Sequence, residues 1–202
     1  MCEFSDFDEI IMKHLFRYFC ATPEFIYQFC WAAIRSNDST IASFLRRKMY
    51  RTPCMIDTNV FIKNKKNFIS GHGSCLYHSC YILNINGKFV IGNNSHLGAF
   101  CYVNVCYGKV TIGDDVVVGP GTKIIAYSNH YQHGKKVTEE KITRDVVIKN
   151  NVFVGANCTI LPGTIINKNI IVGAGSVVKG ELEANCIYAG VPCKKIKSGW
   201  YA

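Results

Sequence analysis

The feature that most constrains the fold of this chain is a six-residue period in its C-terminal half. From Ile112 the sequence divides into IGDDVV, VGPGTK and IIAYSN, and from Ile148 into IKNNVF, VGANCT, ILPGTI, INKNII, VGAGSV and VKGELE. Every block begins with Ile or Val, the second place is often Gly, and the fifth is usually small or β-branched. A period of six fits neither the helical 3.6 nor a two-residue strand alternation. The pattern predicts a hexapeptide solenoid.

The physical basis of such a repeat is one short strand and one corner for each block. Three blocks close a triangular coil, and successive coils stack with a spacing of roughly 4.8 Å. The same spacing extends upstream in a different phase, and the nine residues 103–111 absorb the change of phase. The upstream axial positions are Ile56, Ile62, Phe68, Ile85, Ile91, Leu97 and Val103. The sequence therefore predicts an all-β protein, a parallel β-helix over residues 53–202.

Residues 1–52 have a different pattern, with apolar residues at helical spacing. In "ATPE", Thr22 is suited to cap a helix and Pro23 to open one. A further stretch, IASFLRRKMYR, is basic and amphipathic. We predict a helical N-terminal segment over 1–52. Its basic helix has two interpretations, a cap over the open end of the solenoid or a contact with an anionic membrane surface that carries a lipid-linked substrate.

Composition narrows the function classes. The first residues, MCEFSDFDEI, are acidic and resemble neither a signal peptide nor a spanning helix, so we expect a cytoplasmic protein. The eleven cysteines form no CxxC pair and are expected to be reduced, small apolar side chains. The net charge of +9 suits an anionic partner, but the lysines cluster without interleaved aromatics, which makes nucleic acid a minor alternative.

The repeat breaks at YSNHYQHGKK. The block after Ile124 should begin at residue 130, but the pattern resumes at Ile148. A coil through 130–147 would place Lys136 in the narrow interior, which costs several kcal/mol without a partner. We therefore predict an extended loop at about 130–147, with His130 at its root and pointing outward.

Three segments carry a family resemblance: VTIGDDVVVGPGTKIIAYSNHYQ, VVIKNNVFVGANCTILPGTIINKNIIVGAGSVV, and YAGVPCKKIK, which matches the closing signature AGxPxxxI. Over residues 54–197 the chain resembles the hexapeptide-repeat acyltransferases, in the branch with galactoside, maltose and xenobiotic acetyltransferases and surface-polysaccharide O-acetyltransferases. The resemblance implies a left-handed β-helix. It also implies a homotrimer in which acetyl-CoA and the acceptor meet between subunits.

The resemblance also assigns candidate residues for the reaction. Acetyl transfer from a thioester to a hydroxyl needs a general base and donors for the oxyanion, and a neutral imidazole is a suitable base near pH 7. His130 matches the family's catalytic histidine. Tyr131 and His133 are candidates for acceptor binding. The other interpretation of His133 is a solvated residue, and it is the substitute base if the register of the repeat is wrong. Asn104 either binds the acceptor or is an ordinary corner asparagine.

CoA requires a narrow groove for its pantetheine arm and cations for its phosphates. By resemblance, Ala156 and Ala174 line the arm and Phe153 replaces the tryptophan common in the family. The candidate phosphate ligands are Lys179, Lys194 and Lys197. Because "VVKGE" replaces the usual "VVTKD", Lys179 is displaced by one residue and a solvated surface lysine is the other interpretation.

These observations predict a CoA-dependent O-acetyltransferase acting on a sugar of a surface polysaccharide or its precursor, without a metal. An N-acetyltransferase on an amino-sugar nucleotide and a xenobiotic acetyltransferase are the alternatives within the same chemistry. A zinc enzyme like the γ-carbonic anhydrases would need three histidine ligands, and the spacings of the available histidines do not reproduce that family's arrangement. A solenoid that only binds partners would need neither His130 nor the closing lysines.

Overall fold

The computed structural model describes residues 23–201, which form two helices followed by a left-handed parallel β-helix of about six turns. Helix α1 spans Pro23–Ser36 and α2 spans Thr40–Tyr50. The Ser39 hydroxyl caps α2 by accepting from the Ala42 amide at 3.2 Å. The part of the predicted helical segment before Pro23 lies outside the described residues. Within 23–201, no helix is both long enough and apolar enough to cross a bilayer.

The solenoid is a triangular prism with three parallel sheets, here named A, B and C in the order in which the chain enters them. Sheet A contains β1 (Met55–Ile56), β4 (Cys75–Leu76), β7 (His96–Leu97), β10 (Val117–Val118), β15 (Val152–Val154), β18 (Ile170–Val172), β21 (Cys186–Ala189) and the antiparallel β22 (Lys194–Ser198). Sheet B contains β2 (Phe61–Ile62), β5 (Tyr81–Leu83), β8 (Tyr102–Asn104), β11 (Lys123–Ile125), β16 (Thr159–Ile160) and β19 (Val177–Val178). Sheet C contains β3 (Phe68–Ser70), β6 (Lys88–Ile91), β9 (Lys109–Ile112), β14 (Val146–Ile148), β17 (Ile165–Ile166) and β20 (Glu181–Leu182).

The predicted axial residues form the core. One column of fully buried aliphatic side chains runs along each sheet, including Leu97, Ile124 and Ile148. The fifth place of the repeat also faces inward and contains small side chains: Cys80, Cys101, Thr122, Cys158 and Ser176. The nine described cysteines are free thiols, and all but the exposed Cys30 and the half-buried Cys193 are buried. Burial raises the pKa of Cys54 to about 11 and that of Cys75 to about 12, so both thiols remain protonated.

The first coils are longer than the last ones. Cys75 pairs with His96, 21 residues later, whereas Phe153 pairs with Ile171, 18 residues later. The extra residues lie at the corner between sheets B and C, in stacked turns at 64–67, 84–87 and 105–108. The prediction that Ile85 is axial was wrong, because it lies in one of these turns and is only half-buried.

The break in the repeat is a β-hairpin that leaves the solenoid. Ile112 pairs directly with Ile148, 36 residues later, so one coil's worth of residues stands outside the ladder. The hairpin, residues 127–144, contains β12 (Tyr127–Asn129) paired antiparallel with β13 (Lys141–Thr143). It lies three residues earlier than the expected loop at 130–147, and Val146 is part of the buried core.

The helices pack against the first coil. Arg46 of α2 is buried, and its Nε donates to the Ile56 carbonyl at 2.8 Å while Nη1 donates to the carbonyls of Ile34 and Asn37 at 2.7 Å. This guanidinium joins both helices to β1. The outward face of α2 exposes Ile41 and Phe44.

Candidate active site

The hairpin is anchored at its root by backbone hydrogen bonds to the solenoid. The Ala126 amide donates to the Asn104 carbonyl at 2.8 Å, and the Arg144 amide donates to the Ala126 carbonyl at 3.0 Å. Farther out, the Lys141 ammonium donates to the Asn129 side-chain oxygen at 2.9 Å across the two strands. The hairpin is therefore a paired extension of the scaffold rather than an irregular loop.

Asn104 lies at the end of β8, beside this root. Its Nδ2 donates to the Tyr127 carbonyl at 3.4 Å, so its amide contacts the first residue of the hairpin. Its Oδ1 is buried and accepts no hydrogen bond from the described residues. A buried acceptor without a partner carries a desolvation cost that a ligand donor can remove.

The widened B–C corner supports the hairpin from below. The Tyr107 ring packs edge-on against the Tyr127 ring with centroids 5.5 Å apart. A Cβ on Gly108 would lie 2.9 Å from Cγ2 of Thr143, so this glycine allows the returning strand to approach closely. The three extra residues of the coil thus form the surface on which the hairpin packs.

His130 lies on the outer part of the hairpin, beyond the root where it was expected. Its amide donates to the Glu140 carbonyl at 3.0 Å, which extends the strand pairing by one step. Its imidazole is exposed, and no described side chain hydrogen-bonds it. Tyr131 and His133 are also exposed, and an ion pair between Lys135 and Glu140 closes the hairpin near its tip.

A second feature is a track of small residues along the corner between sheets A and B. A Cβ on Gly119 would meet the Ala156 nitrogen at 2.5 Å, and a Cβ on Gly155 would meet the Ala174 nitrogen at 2.5 Å, so only glycine fits there. We name this surface the small-residue track. Its outward members, one for each coil, are Ala99, Pro120, Ala156 and Ala174.

Two of the predicted lysines lie at the C-terminal end of this track. Lys194 pairs with Ala189, whose Cβ is within 2.9 Å of the position that a Cβ on Gly173 would take. Lys197 pairs with Ile187, in the row of sheet A that also contains the exposed Phe153. The fold therefore brings together Phe153, Ala156, Ala174, Lys194 and Lys197.

The third lysine does not join this group within one chain. Lys179 follows β19 and so lies at the B–C corner, the corner from which the hairpin emerges. A single chain therefore presents its candidate residues at two different corners of the prism. His130, Asn104 and Lys179 belong to one corner, and the small-residue track belongs to the other.

The sequence interpretation missed two residues beside these features, Tyr107 and Phe100. Tyr107 lies in the region of the phase change and was not distinguished from a linker. Phe100 occupies a corner place that contains Gly, Asn or Ser in the other coils, and comparison of the coils by register would have revealed it.

The histidines of the first coils are not arranged as a metal site. His96 packs edge-on against the Tyr77 ring, with centroids 5.6 Å apart, and burial lowers the pKa of its imidazole. In the part of the chain that the structure describes, no three His, Cys, Asp or Glu side chains cluster closely enough to hold a metal ion.

Comparison with known protein families identifies the repeat. Residues 145–180 match the model described as bacterial transferase hexapeptide (six repeats), and residues 89–126 match the hexapeptide repeat of succinyl-transferase. Both matches are to the repeat of hexapeptide acyltransferases, so the chain contains the repeat that characterises this family. The two matched stretches flank the hairpin, which neither model includes.

Two of the relatives are named as O-acetyltransferases. The chain is 38% identical to WbbJ of Escherichia coli K12, named for O-acetyl transfer in lipopolysaccharide biosynthesis, over 42% of this chain and 50% of that protein. It is 34% identical to the galactoside O-acetyltransferase of the same strain, over 42% of this chain and 41% of that protein. The chain thus spans half or less of these relatives.

A solved structure resembles the fold more completely. A variant of AntD, an N-acyltransferase from Bacillus cereus in complex with dTDP-4-amino-4,6-dideoxyglucose and coenzyme A, superposes with a TM-score of 0.68 and 25% identity. The superposition covers 77% of this chain and 89% of AntD. The solenoid fold is therefore shared with AntD over most of both chains.

Proposed function

We propose that this protein transfers an acetyl group from acetyl-CoA to a sugar hydroxyl of a surface polysaccharide or its precursor, with His130 as general base. One observation carries the proposal: His130 is an exposed imidazole on a paired hairpin that stands outside the parallel ladders of the solenoid. The relatives named for sugar O-acetylation support the substrate class.

The residues divide the chemistry as follows. The neutral imidazole of His130 accepts the proton of the sugar hydroxyl while its oxygen attacks the thioester carbonyl. When the tetrahedral adduct collapses, the C–S bond breaks and the imidazolium returns the proton to the departing thiolate. The unpartnered Oδ1 of Asn104, at the root of the hairpin, is the candidate to accept a hydrogen bond from the sugar, and Tyr131 and His133, farther out on the hairpin, are the other candidates for acceptor binding.

The small-residue track is suited to the donor. Ala156 and Ala174 allow a thin pantetheine arm to approach the backbone, and the Phe153 ring forms a wall beside it. Lys194 and Lys197 at the end of the track would hold the phosphates by charge-assisted hydrogen bonds.

A complete site requires two copies of the chain. The hairpin and the track emerge from different corners of the prism, so the track of one copy would receive His130 from a neighbour, in a homotrimer. Lys179 shares the hairpin's corner and would reach CoA from that neighbour. The exposed His130 imidazole also has no orienting partner among the described residues, and a catalytic base normally has one.

The experiment is a product assay with His130→Ala. We expect turnover to fall by about 10²- to 10⁴-fold while CoA affinity and assembly are unchanged. His72→Ala is the matched control, because His72 is an exposed histidine at the corner between sheets C and A. Wild-type turnover in His130→Ala would assign the base to another group.

Acetylation of an amine is the second candidate, because the superposed AntD is an N-acyltransferase. Parallel assays with methyl glycosides and with an amino-sugar nucleotide discriminate the two. A xenobiotic acceptor would be indicated if neither class of sugar is acetylated but a hydroxylated drug is.

The membrane interpretation concerns α2. Its exposed Ile41 and Phe44 lie next to Arg47 and Lys48, and the Lys48 ammonium lies 5.5 Å from the Phe44 ring centroid. We propose that the protein is cytoplasmic and that this face contacts an anionic bilayer peripherally.

A further inference from the structure

Phe100 has a backbone conformation that its side chain does not favour. Every coil places a residue with positive φ at the A–B corner, directly after the small-residue track. These residues are Asn59, Ser79, Phe100, Gly121, Asn157 and Gly175. Gly and Asn adopt this left-handed region readily, whereas a bulky side chain there, at φ 60°, is an outlier.

Burial does not explain the phenylalanine either. Its side chain is 63% exposed, so it adds little to the core. The Phe100 ring contacts the His78 ring of the preceding coil, with centroids 4.9 Å apart and planes at 84°. A strained backbone and an exposed aromatic ring at one position suggest a role outside folding.

The position of Phe100 points to that role. It follows Ala99, the first small residue of the track, and Tyr77 and His78 end the track one coil earlier. Lys194 lies at the opposite end, about five strand steps away, or roughly 24 Å. If the phosphates of CoA lie at the lysines, the thioester end of the arm extends toward Phe100.

We propose that Phe100, with His78, binds the acceptor sugar ring at the thioester end of the track; this inference rests on the proposed function. An aromatic face is negative at its centre and attracts the C–H face of a sugar, while the imidazole can hydrogen-bond to a hydroxyl. Sugar recognition would thus involve the track's own corner in addition to the neighbour's hairpin.

The other exposed rings are less suited to stacking on a sugar. On sheet B, Phe61 stacks on Tyr81 at 4.6 Å and Tyr81 stacks on Tyr102 at 5.9 Å, so their faces cover one another. Among residues 23–201, the one aromatic ring in contact with Phe100 is that of His78, and this perpendicular contact uses at most one face of the Phe100 ring. The other face is open to a ligand as far as these residues are concerned.

The test uses Phe100→Asn and Phe100→Gly, which suit the backbone because Asn157 and Gly121 occupy the same place in other coils. Wild type is first assayed with acetyl-CoA and methyl glycosides of galactose, glucose and N-acetylglucosamine, by mass spectrometry of the product. With the best glycoside, both variants should lose about tenfold in kcat/KM for the sugar. The KM for acetyl-CoA should not change, and Phe100→Tyr should retain activity.

The control is Ile69→Ala, which removes an exposed apolar side chain from sheet C, away from both corners. Unchanged kcat/KM for the sugar in Phe100→Asn would overturn the inference while leaving the proposed function intact. A raised KM for acetyl-CoA would assign Phe100 to the binding of the donor, acetyl-CoA. Loss of the oligomer in size-exclusion chromatography would assign Phe100 to a contact between subunits. Either result overturns the inference. A wild type that acetylates none of the acceptors refutes the proposed function itself.

Discussion

Removal of the hairpin should leave the solenoid folded and remove acetyl transfer. The design deletes residues 127–144 and changes Asp145 to Gly. Ala126 is then followed directly by the new glycine and by Val146. The new corner copies the one at Leu161–Thr164 in the next coil, where Gly163 has a φ of 82°. The deletion removes no residue of the A, B or C ladders.

The expected change in stability is small because two effects oppose each other. Closing an 18-residue excursion costs about 2.5 kcal/mol of chain entropy, which the deletion recovers. The deletion loses the hydrogen bonds from Asn104 to the Tyr127 carbonyl and from the Lys109 amide to Asp145, about 1 kcal/mol each. The net effect is within about 2 kcal/mol, so the midpoint of thermal unfolding should shift by only a few degrees.

A second deletion of equal length is the matched control. Removing 130–147 instead deletes the buried Val146 and brings Tyr127 to the place of Gly163, where φ is positive. A left-handed non-glycine residue costs about 1–2 kcal/mol, and loss of a buried aliphatic side chain costs a similar amount. The control should therefore be less stable than the first deletion by about 3 kcal/mol.

Circular dichroism, calorimetry of CoA binding and the product assay together measure the outcome. The first deletion should give a folded protein that binds CoA but acetylates nothing. Retained acetylation would exclude the hairpin from the reaction. Equal stability of the two deletions would contradict the register of β11 and β14.

Two further predictions concern the charged surfaces. The double variant Lys194→Ala with Lys197→Ala should weaken CoA binding, and most strongly at low salt. The control variant Lys149→Ala with Lys168→Ala should leave CoA binding unchanged, because these exposed lysines lie at the C–A corner. When chains of the lysine variant are mixed and reassembled with His130→Ala chains, part of the turnover should return. Cosedimentation with vesicles containing phosphatidylglycerol should decrease in Ile41→Ser with Phe44→Ser relative to wild type, and equal cosedimentation of the two proteins would refute the membrane proposal.

The solenoid was predictable because its period is a property of the chain itself. Aliphatic residues at every sixth place, such as Ile124 and Ile148, have one arrangement that buries them all. The length of the insertion, 18 residues, followed from counting the residues between Ile124 and Ile148. The residue at which the chain leaves the solenoid did not follow from this count, because an insertion can slide by three residues without changing the number of residues between two axial positions. Ala126 and Val146, which are both buried, fix it only in three dimensions.

The arrangement of the site was less accessible to sequence. Ala156 and Ala174 are one period apart, so their stacking follows from the repeat. Lys179 and Lys194 lie close together in sequence, yet the fold assigns them to different corners. The contact of Tyr107 with the hairpin depends on how the widened turns stack, and no periodic signal reports it.

The location of the hairpin is itself constrained by the solenoid. An insertion can leave a β-helix only at a corner, because within a strand it would break the ladder on both sides. An excursion at the A–B corner would cover the small-residue track, whereas the B–C corner leaves that track open along its length. With the hairpin at the B–C corner, we expect His130 of one copy to reach only a track that another copy presents. The same choice that keeps the proposed donor surface accessible thus makes the proposed reaction depend on assembly, and it leaves Phe100, on the track's own corner, as the aromatic residue that the acceptor would meet.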